Sequence, residues 1–185
     1  MLRPDRGARA ASPQPLRAVF GARGPLELLP APPDPLVGFI ERRVRSTGDD
    51  EEVGSIVCFE LDRVDELADE HGDRFRDRVA DALGSIIEGS FRSTDPVTRR
   101  GLGRFAVVVE GAPIGEAARR AERVRLEVQA TRFDGPRGEP VWVTASAGCA
   151  AIGRDEDAIP TALEAAESAL AAAARAGRNR VIASR

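Results

Sequence analysis

The alternation of hydrophobic and polar positions changes character near residue 34, and from Asp34 onward it is periodic. Leu36, Phe39, Ile40 and Val44 fall on one face of a short helix that Pro35 can start. Ser55 to Leu61 is a continuous β-prone run suited to a central strand, and the polar stretch 62–73 holds a short helix broken at Gly72. Phe75, Val79, Leu83, Ile86 and Ile87 then recur at helical spacing up to Gly89. Pro96–Arg100 and Arg104–Glu110 read as two strands joined by the glycine turn Gly101-Leu102-Gly103. Ala117, Ala121, Val124 and Val128 mark another amphipathic helix. Pro140–Ile152 reads as one strand in which Trp142 packs. Pro160–Ala176 reads as a helix capped by Gly177, with Val181 and Ile182 as a last strand. This order predicts an α+β fold, a palm-like or ferredoxin-like sandwich with a mostly antiparallel central sheet flanked by helices.

Residues 1–33 have no such period. They carry seven prolines, and five arginines against Asp5 and Glu27, a net +3 that leaves −6 on the rest of a chain whose total is −3. A segment of this composition buries too little surface to offset its ordering entropy and is expected to be a disordered tail. Leu26, Leu28 and Leu29 are its one apolar knot, suited to a docking motif or to a turn resting on the domain. The expected division is therefore a tail, 1–33, and one domain, 34–185, which the 185-residue length accommodates.

Composition narrows the chemistry. The net charge of −3 gives no global basic field, which argues against a general nucleic-acid binder. All 27 basic side chains are arginine and tyrosine is absent, so Schiff-base, P-loop-lysine and tyrosine acid chemistries are excluded. Two cysteines are too few for a disulfide framework. No apolar run approaches the roughly 20 residues of a membrane span, so a cytoplasmic protein away from membranes is expected.

Four stretches occur in the order and spacing of a known family. Asp34-Pro35-Leu36-Val37-Gly38, Phe105-Ala106-Val107-Val108-Val109, Val143-Thr144-Ala145-Ser146-Ala147-Gly148 and Ala176-Gly177-Arg178-Asn179-Arg180-Val181 together resemble the GGDEF domain of diguanylate cyclases, which join two GTP molecules into cyclic di-GMP. The resemblance covers about residues 34–185 and breaks at the chemistry. The signature position reads Gly101-Leu102-Gly103-Arg104-Phe105, with both acids lost. Arg104 stands where the family carries a carboxylate that helps hold Mg²⁺. An arginine about 4 Å from a divalent cation, at an effective dielectric of 20, repels it by roughly 8 kcal/mol. Mg²⁺ is therefore not expected here, nor is its Lewis-acid contribution.

The resemblance assigns the first metal-binding acid to Glu60 and the second acid of the motif to Asp62. It assigns the guanine-binding asparagine to Ala68 with its partner acid kept at Asp77, and the phosphate-binding lysine to Ala174 with Arg178 retained nearby. These losses together imply an inactive cyclase. Arg104 is then either an exposed hairpin residue or a fixed charge that holds a nucleotide phosphate, and Glu60, Asp62 and Asp77 form a vestigial acidic rim.

A second site that the resemblance implies is better preserved. Arg92-Ser93-Thr94-Asp95 matches the family's RxxD motif for cyclic di-GMP, with Arg119 and Arg123 where secondary arginines fall. An arginine fork suits guanine O6 and N7, and a carboxylate suits N1–H and N2–H. The bland alternatives are a surface ion pair for Arg92 and Asp95, and a solvated helix face for Arg119 and Arg123. His71 is expected to be a solvated side chain, and Cys58 and Cys149 small core residues. The leading expectation is a catalytically silent cyclic di-GMP receptor, able to dimerise around a stacked ligand or to pass its signal to an unknown protein partner. A ligand-free scaffold for protein–protein contacts is the alternative, and a residual cyclase a more distant one.

Overall fold

The computed structural model describes residues 54–154 and 158–184. The tail, the boundary near Asp34 and the helix expected around Leu36–Val44 lie outside the described residues. Those described form β1 (Gly54–Leu61), α1 (Val64–His71), α2 (Asp73–Ser90), β2 (Val97–Gly101), β3 (Arg104–Glu110), α3 (Ile114–Ala130), β4 (Phe133–Asp134), β5 (Pro140–Val141), β6 (Ala145–Ile152), α4 (Ala158–Arg175) and β7 (Val181–Ala183).

The main sheet has the order β2-β3-β1-β6-β7; all pairs are antiparallel except β6–β7. β1 lies at its centre, and every residue of it but Glu60 is buried, which is why its sequence is a continuous apolar run rather than an alternation. Its two faces feed two cores. Val57, Phe59 and Leu61 pack with Phe75, Val79, Leu83 and Ile87 of α2 and with Ala117, Ala121, Val124 and Val128 of α3. Ile56 and Cys58 face Ile159, Ala162, Ala166 and Leu170 of α4 on the other side. The period-2 alternation of the strand thus distributes its side chains between helices on opposite faces.

α4 packs unusually close. A Cβ built on Gly148 of β6 would come within 2.1 Å of the Ala166 carbonyl oxygen and 2.2 Å of the Leu170 nitrogen, so only glycine lets helix backbone meet strand backbone there. The alanine-rich buried stripe of α4 serves the same approach. α4 ends in a Schellman motif: Gly177 N–H donates to Ala174 O and Arg178 N–H to Ala173 O.

Three expectations need correction. The run 140–152 is not one strand: β5 pairs with β4 in a separate two-stranded sheet, and 142–144 lies outside both ladders. The chain is pulled aside because Asp62 N–H donates to Thr144 O at 2.9 Å. Trp142 sits on this detour and is 59% exposed, so it does not pack in a sheet. β4 was too short, at two residues, to announce itself in the sequence. His71 is not solvated either. Its side chain is 17% exposed, its Nδ1 lies 3.2 Å from Glu139 Oε1, and its ring packs at a tilt against Phe75, with centroids 5.0 Å apart.

Candidate functional site

Two clusters of charged residues stand out. The first lies at the end of β1. The hairpin of β2 and β3 turns through Leu102 and Gly103; Gly103 has φ of 67°, and its carbonyl accepts from Leu61 N–H at 2.8 Å. This tie holds the hairpin against β1 so that Glu60 and Arg104 are directly opposed in the antiparallel register. Their side chains meet, Arg104 Nε to Glu60 Oε1 at 3.9 Å. Arg100, on the same hairpin, reaches Glu167 of α4 at 3.4 Å.

Asp62 follows immediately and is buried. Its Oδ2 accepts from Thr144 Oγ1 (2.6 Å) and Asn179 N–H (3.0 Å), and its Oδ1 from Ser146 Oγ (2.7 Å). One carboxylate therefore ties the end of β1 to β6 and to the loop after α4. Asn179 extends the knot, since its side-chain oxygen accepts from Arg125 Nη1 at 2.6 Å and Arg125 is in turn paired with Glu122. Glu60, Asp62, Arg63, Ser146, Ala174 and Arg178 line a groove of about 250 Å³. Glu60 thus faces an arginine, and Asp62 accepts from three donors. Among the described residues no cluster of three or more His, Cys, Asp or Glu is arranged to hold a metal ion.

The other residues assigned by resemblance are placed as follows. Ala68 is half-buried on α1 and offers no polar group, while the Asp77 carboxylate on α2 accepts from Arg76 at 2.9 and 3.0 Å. Ala174 and Arg178 both line the Glu60 groove, and Arg178 is exposed with φ of 61°. Cys58 and Cys149 are core residues as expected, and burial pushes both thiols up to about 12.

The second cluster surrounds the turn between α2 and β2. Residues 92–95 close on themselves: Asp95 N–H donates to Arg92 O at 2.9 Å, and Arg92 N–H donates to Asp95 Oδ2 at 3.0 Å. The three-residue spacing of the motif is thus also the spacing of a hydrogen-bonded turn. The Asp95 side chain has 0% exposure. Besides Arg92 N–H it accepts from Glu110 N–H at 3.4 Å and, as an ion pair, from Arg120 Nη1 at 3.0 Å. The arginine paired with Asp95 is therefore Arg120 of α3, whose side chain is only 13% exposed, and not Arg92.

Arg92 projects outward, 62% exposed, with Glu116 Oε1 at 3.9 Å. Arg119 and Arg123 are also exposed, and Arg123 donates to the Ser90 carbonyl at the end of α2. Glu116 sits among these arginines. Its bond to Arg120 holds its carboxyl below the usual value, and the charges of Arg120, Arg92 and Arg119 add to the effect. Sequence reasoning missed Arg120 and Glu116. The signal was present, because they stand at i and i+4 on one helix face, the spacing of an intrahelical ion pair.

This fold and this placement of motifs have a match. Residues 37–180 match the model of the family described as "Diguanylate cyclase, GGDEF domain". The chain belongs to the GGDEF domain family. Among similar proteins, "Diguanylate cyclase DosC" of Escherichia coli (strain K12) is 31% identical over 127 residues, covering 69% of this chain and 27% of that protein. "Diguanylate cyclase A" of Treponema denticola is 29% identical over 140 residues, covering 75% of this chain and 37% of that protein. The chain thus spans only 27% to 37% of the length of these relatives. Of solved structures, the GGDEF domain of DgcB from Caulobacter crescentus in complex with c-di-GMP matches with a TM-score of 0.74 at 23% identity, covering 80% of this chain and 88% of that one. Diguanylate cyclase SiaD of Pseudomonas aeruginosa in complex with its activator SiaC matches with a TM-score of 0.72 at 22% identity, covering 80% of this chain and 56% of that one. These likenesses agree with the α+β architecture of the GGDEF fold described above.

Proposed function

We propose that this GGDEF domain does not condense GTP and acts instead as a cytoplasmic binding module for cyclic di-GMP. The observation that supports the non-cyclising reading is the cross-strand pair Glu60–Arg104, a fixed positive charge at the position the resemblance assigns to a metal-holding carboxylate. Without that cation, and without a lysine at Ala174, charge developing on a transferred phosphoryl group has little to stabilise it. For the ligand, support comes from the exposed guanidinium of Arg92 with Arg119 and Arg123 exposed on the neighbouring helix. In this reading Arg92 presents its fork to the guanine O6 and N7 edge, and Arg119 and Arg123 meet phosphate. Asp95, locked to Arg120, fixes the turn and does not touch the base. A ligand of two stacked molecules would draw two copies of the chain together.

The commitment of Asp95 to Arg120 also favours a second reading, a ligand-independent scaffold for a protein partner. Titration calorimetry with cyclic di-GMP and with GTP, on wild type and Arg92→Ala, separates the two. Saturable heat with cyclic di-GMP that Arg92→Ala abolishes supports the receptor. No heat at tens of micromolar leaves the scaffold, and turnover of GTP to a cyclic product with Mg²⁺ overturns both.

A further inference from the structure

Trp142 is the only tryptophan of a chain that has no tyrosine, and more than half of it faces solvent. With Val143 and Thr144 it forms one wall of a groove of about 270 Å³. The other wall is Arg63, just before α1, and the outer face of α1, where Glu66, Leu67 and Glu70 recur at helical spacing. Leu67 and Val143 are buried beneath and make an apolar floor.

The rim is acidic. Glu70 is 72% exposed, and its nearest basic neighbour is His71 Nε2 at 3.8 Å. His71 also connects the groove to Glu139, so one imidazole stands between two carboxylates. Arg63 offsets only Glu66, at 3.4 Å. An exposed indole beside the Glu66 and Glu70 carboxylates and one arginine is complementary to a cation that is planar and bidentate.

We propose that this groove docks an extended, arginine-bearing segment of a partner protein. The guanidinium stacks on the Trp142 indole while its N–H fork reaches Glu66 or Glu70, and a neighbouring apolar side chain rests on Leu67 and Val143. The same charges argue against the obvious alternatives. In a two-fold contact between copies of this chain the acidic rim would meet itself, and an anionic membrane surface would be repelled. The proposal is independent of the cyclic di-GMP reading.

The lone tryptophan makes the site its own reporter. Trp142 emission of the full chain is titrated with a capped hexapeptide alternating arginine and leucine, and with its lysine counterpart. The expected result is a saturable change with a midpoint of about 100 µM. The lysine peptide, which lacks the stacking fork, binds about five-fold more weakly, and Glu66→Gln with Glu70→Gln weakens the arginine peptide by about as much. Trp142→Ala, followed by calorimetry, loses the binding while its circular dichroism is unchanged, because the indole is not part of the core. Four results overturn the proposal: no saturation at millimolar peptide, equal binding of the lysine peptide, indifference to the glutamate substitutions, or an emission change that tracks protein concentration alone and so reports self-association.

Discussion

Asp95→Asn distinguishes a structural acid from a guanine-reading one. In the native structure the Asp95 side chain is fully buried and accepts three hydrogen bonds, one from the guanidinium of Arg120, which is itself nearly buried. The amide keeps the shape but removes the charge, and Arg120 is left with only the partly exposed Glu116 as counter-ion. Breaking one side of a buried pair costs about 3–5 kcal/mol, and the retained bond to Glu116 sets the loss at the lower end, about 3 kcal/mol. For a domain of this size that is a fall in melting temperature of about 6–12 °C. The assay is urea and thermal unfolding of wild type, Asp95→Asn, Arg120→Met and the double variant. The single variants should each lose more than the double variant's excess over either one, with a coupling of about 2 kcal/mol. A loss below about 1 kcal/mol for Asp95→Asn, or strict additivity, refutes the reasoning. So does a variant of native stability that has lost cyclic di-GMP binding, which would return Asp95 to the guanine.

The remaining predictions test the other elements of the argument. Arg104→Glu sets two carboxylates opposite each other on β1 and β3 and should cost about 1 kcal/mol. Millimolar Mg²⁺ should then raise the melting temperature of the variant but not of wild type, and an equal response of both would contradict the charge argument. Gly148→Ala drives a methyl group into the backbone of α4 and should cost more than about 3 kcal/mol, or prevent folding, as read by circular dichroism and soluble yield. A change below about 1 kcal/mol would mean that α4 can move off the sheet. Acid should destabilise the domain through carboxyls held below their ordinary value of 4.5, Glu116 by its bond to Arg120 and Glu122 by its bond to Arg125. Since their folded pKa values are depressed, the contribution is present above pH 4.5 and is lost as pH falls below it. The urea midpoint should drop there, and Glu116→Gln with Glu122→Gln should flatten the drop; an unaltered slope would assign acid sensitivity elsewhere.

Much of the fold was legible because strong periodicity and punctuation agree. The residues whose spacing marked α2 and α3 are buried, except Ile86, which is only partly so, and Gly101 to Gly103 delimit the hairpin as read. The failures share one cause. The run 140–152 has uniform β propensity, but a backbone bond between Asp62 and Thr144 diverts its first part, and no local pattern encodes a partner 82 residues away. The exposure of Trp142 has the same origin: hydrophobicity says what a side chain favours and not whether a neighbour arrives to cover it. His71 departs from its expected solvation in the opposite sense, since Glu139 and Phe75 approach it from later in the sequence.

The sequence by itself determined most of the helices and strands of the main sheet and the likeness to a nucleotide-cyclase family, because these depend on residue type and spacing. Only the tertiary structure decided how the charges are shared out. It paired Asp95 with Arg120 and not Arg92, committed Asp62 to three donors, and opposed Arg104 to Glu60 across two strands. The physical reason is that an arginine or carboxylate carries the same charge wherever it stands, while its partner and its burial are set by which backbone segments the fold brings within hydrogen-bond distance.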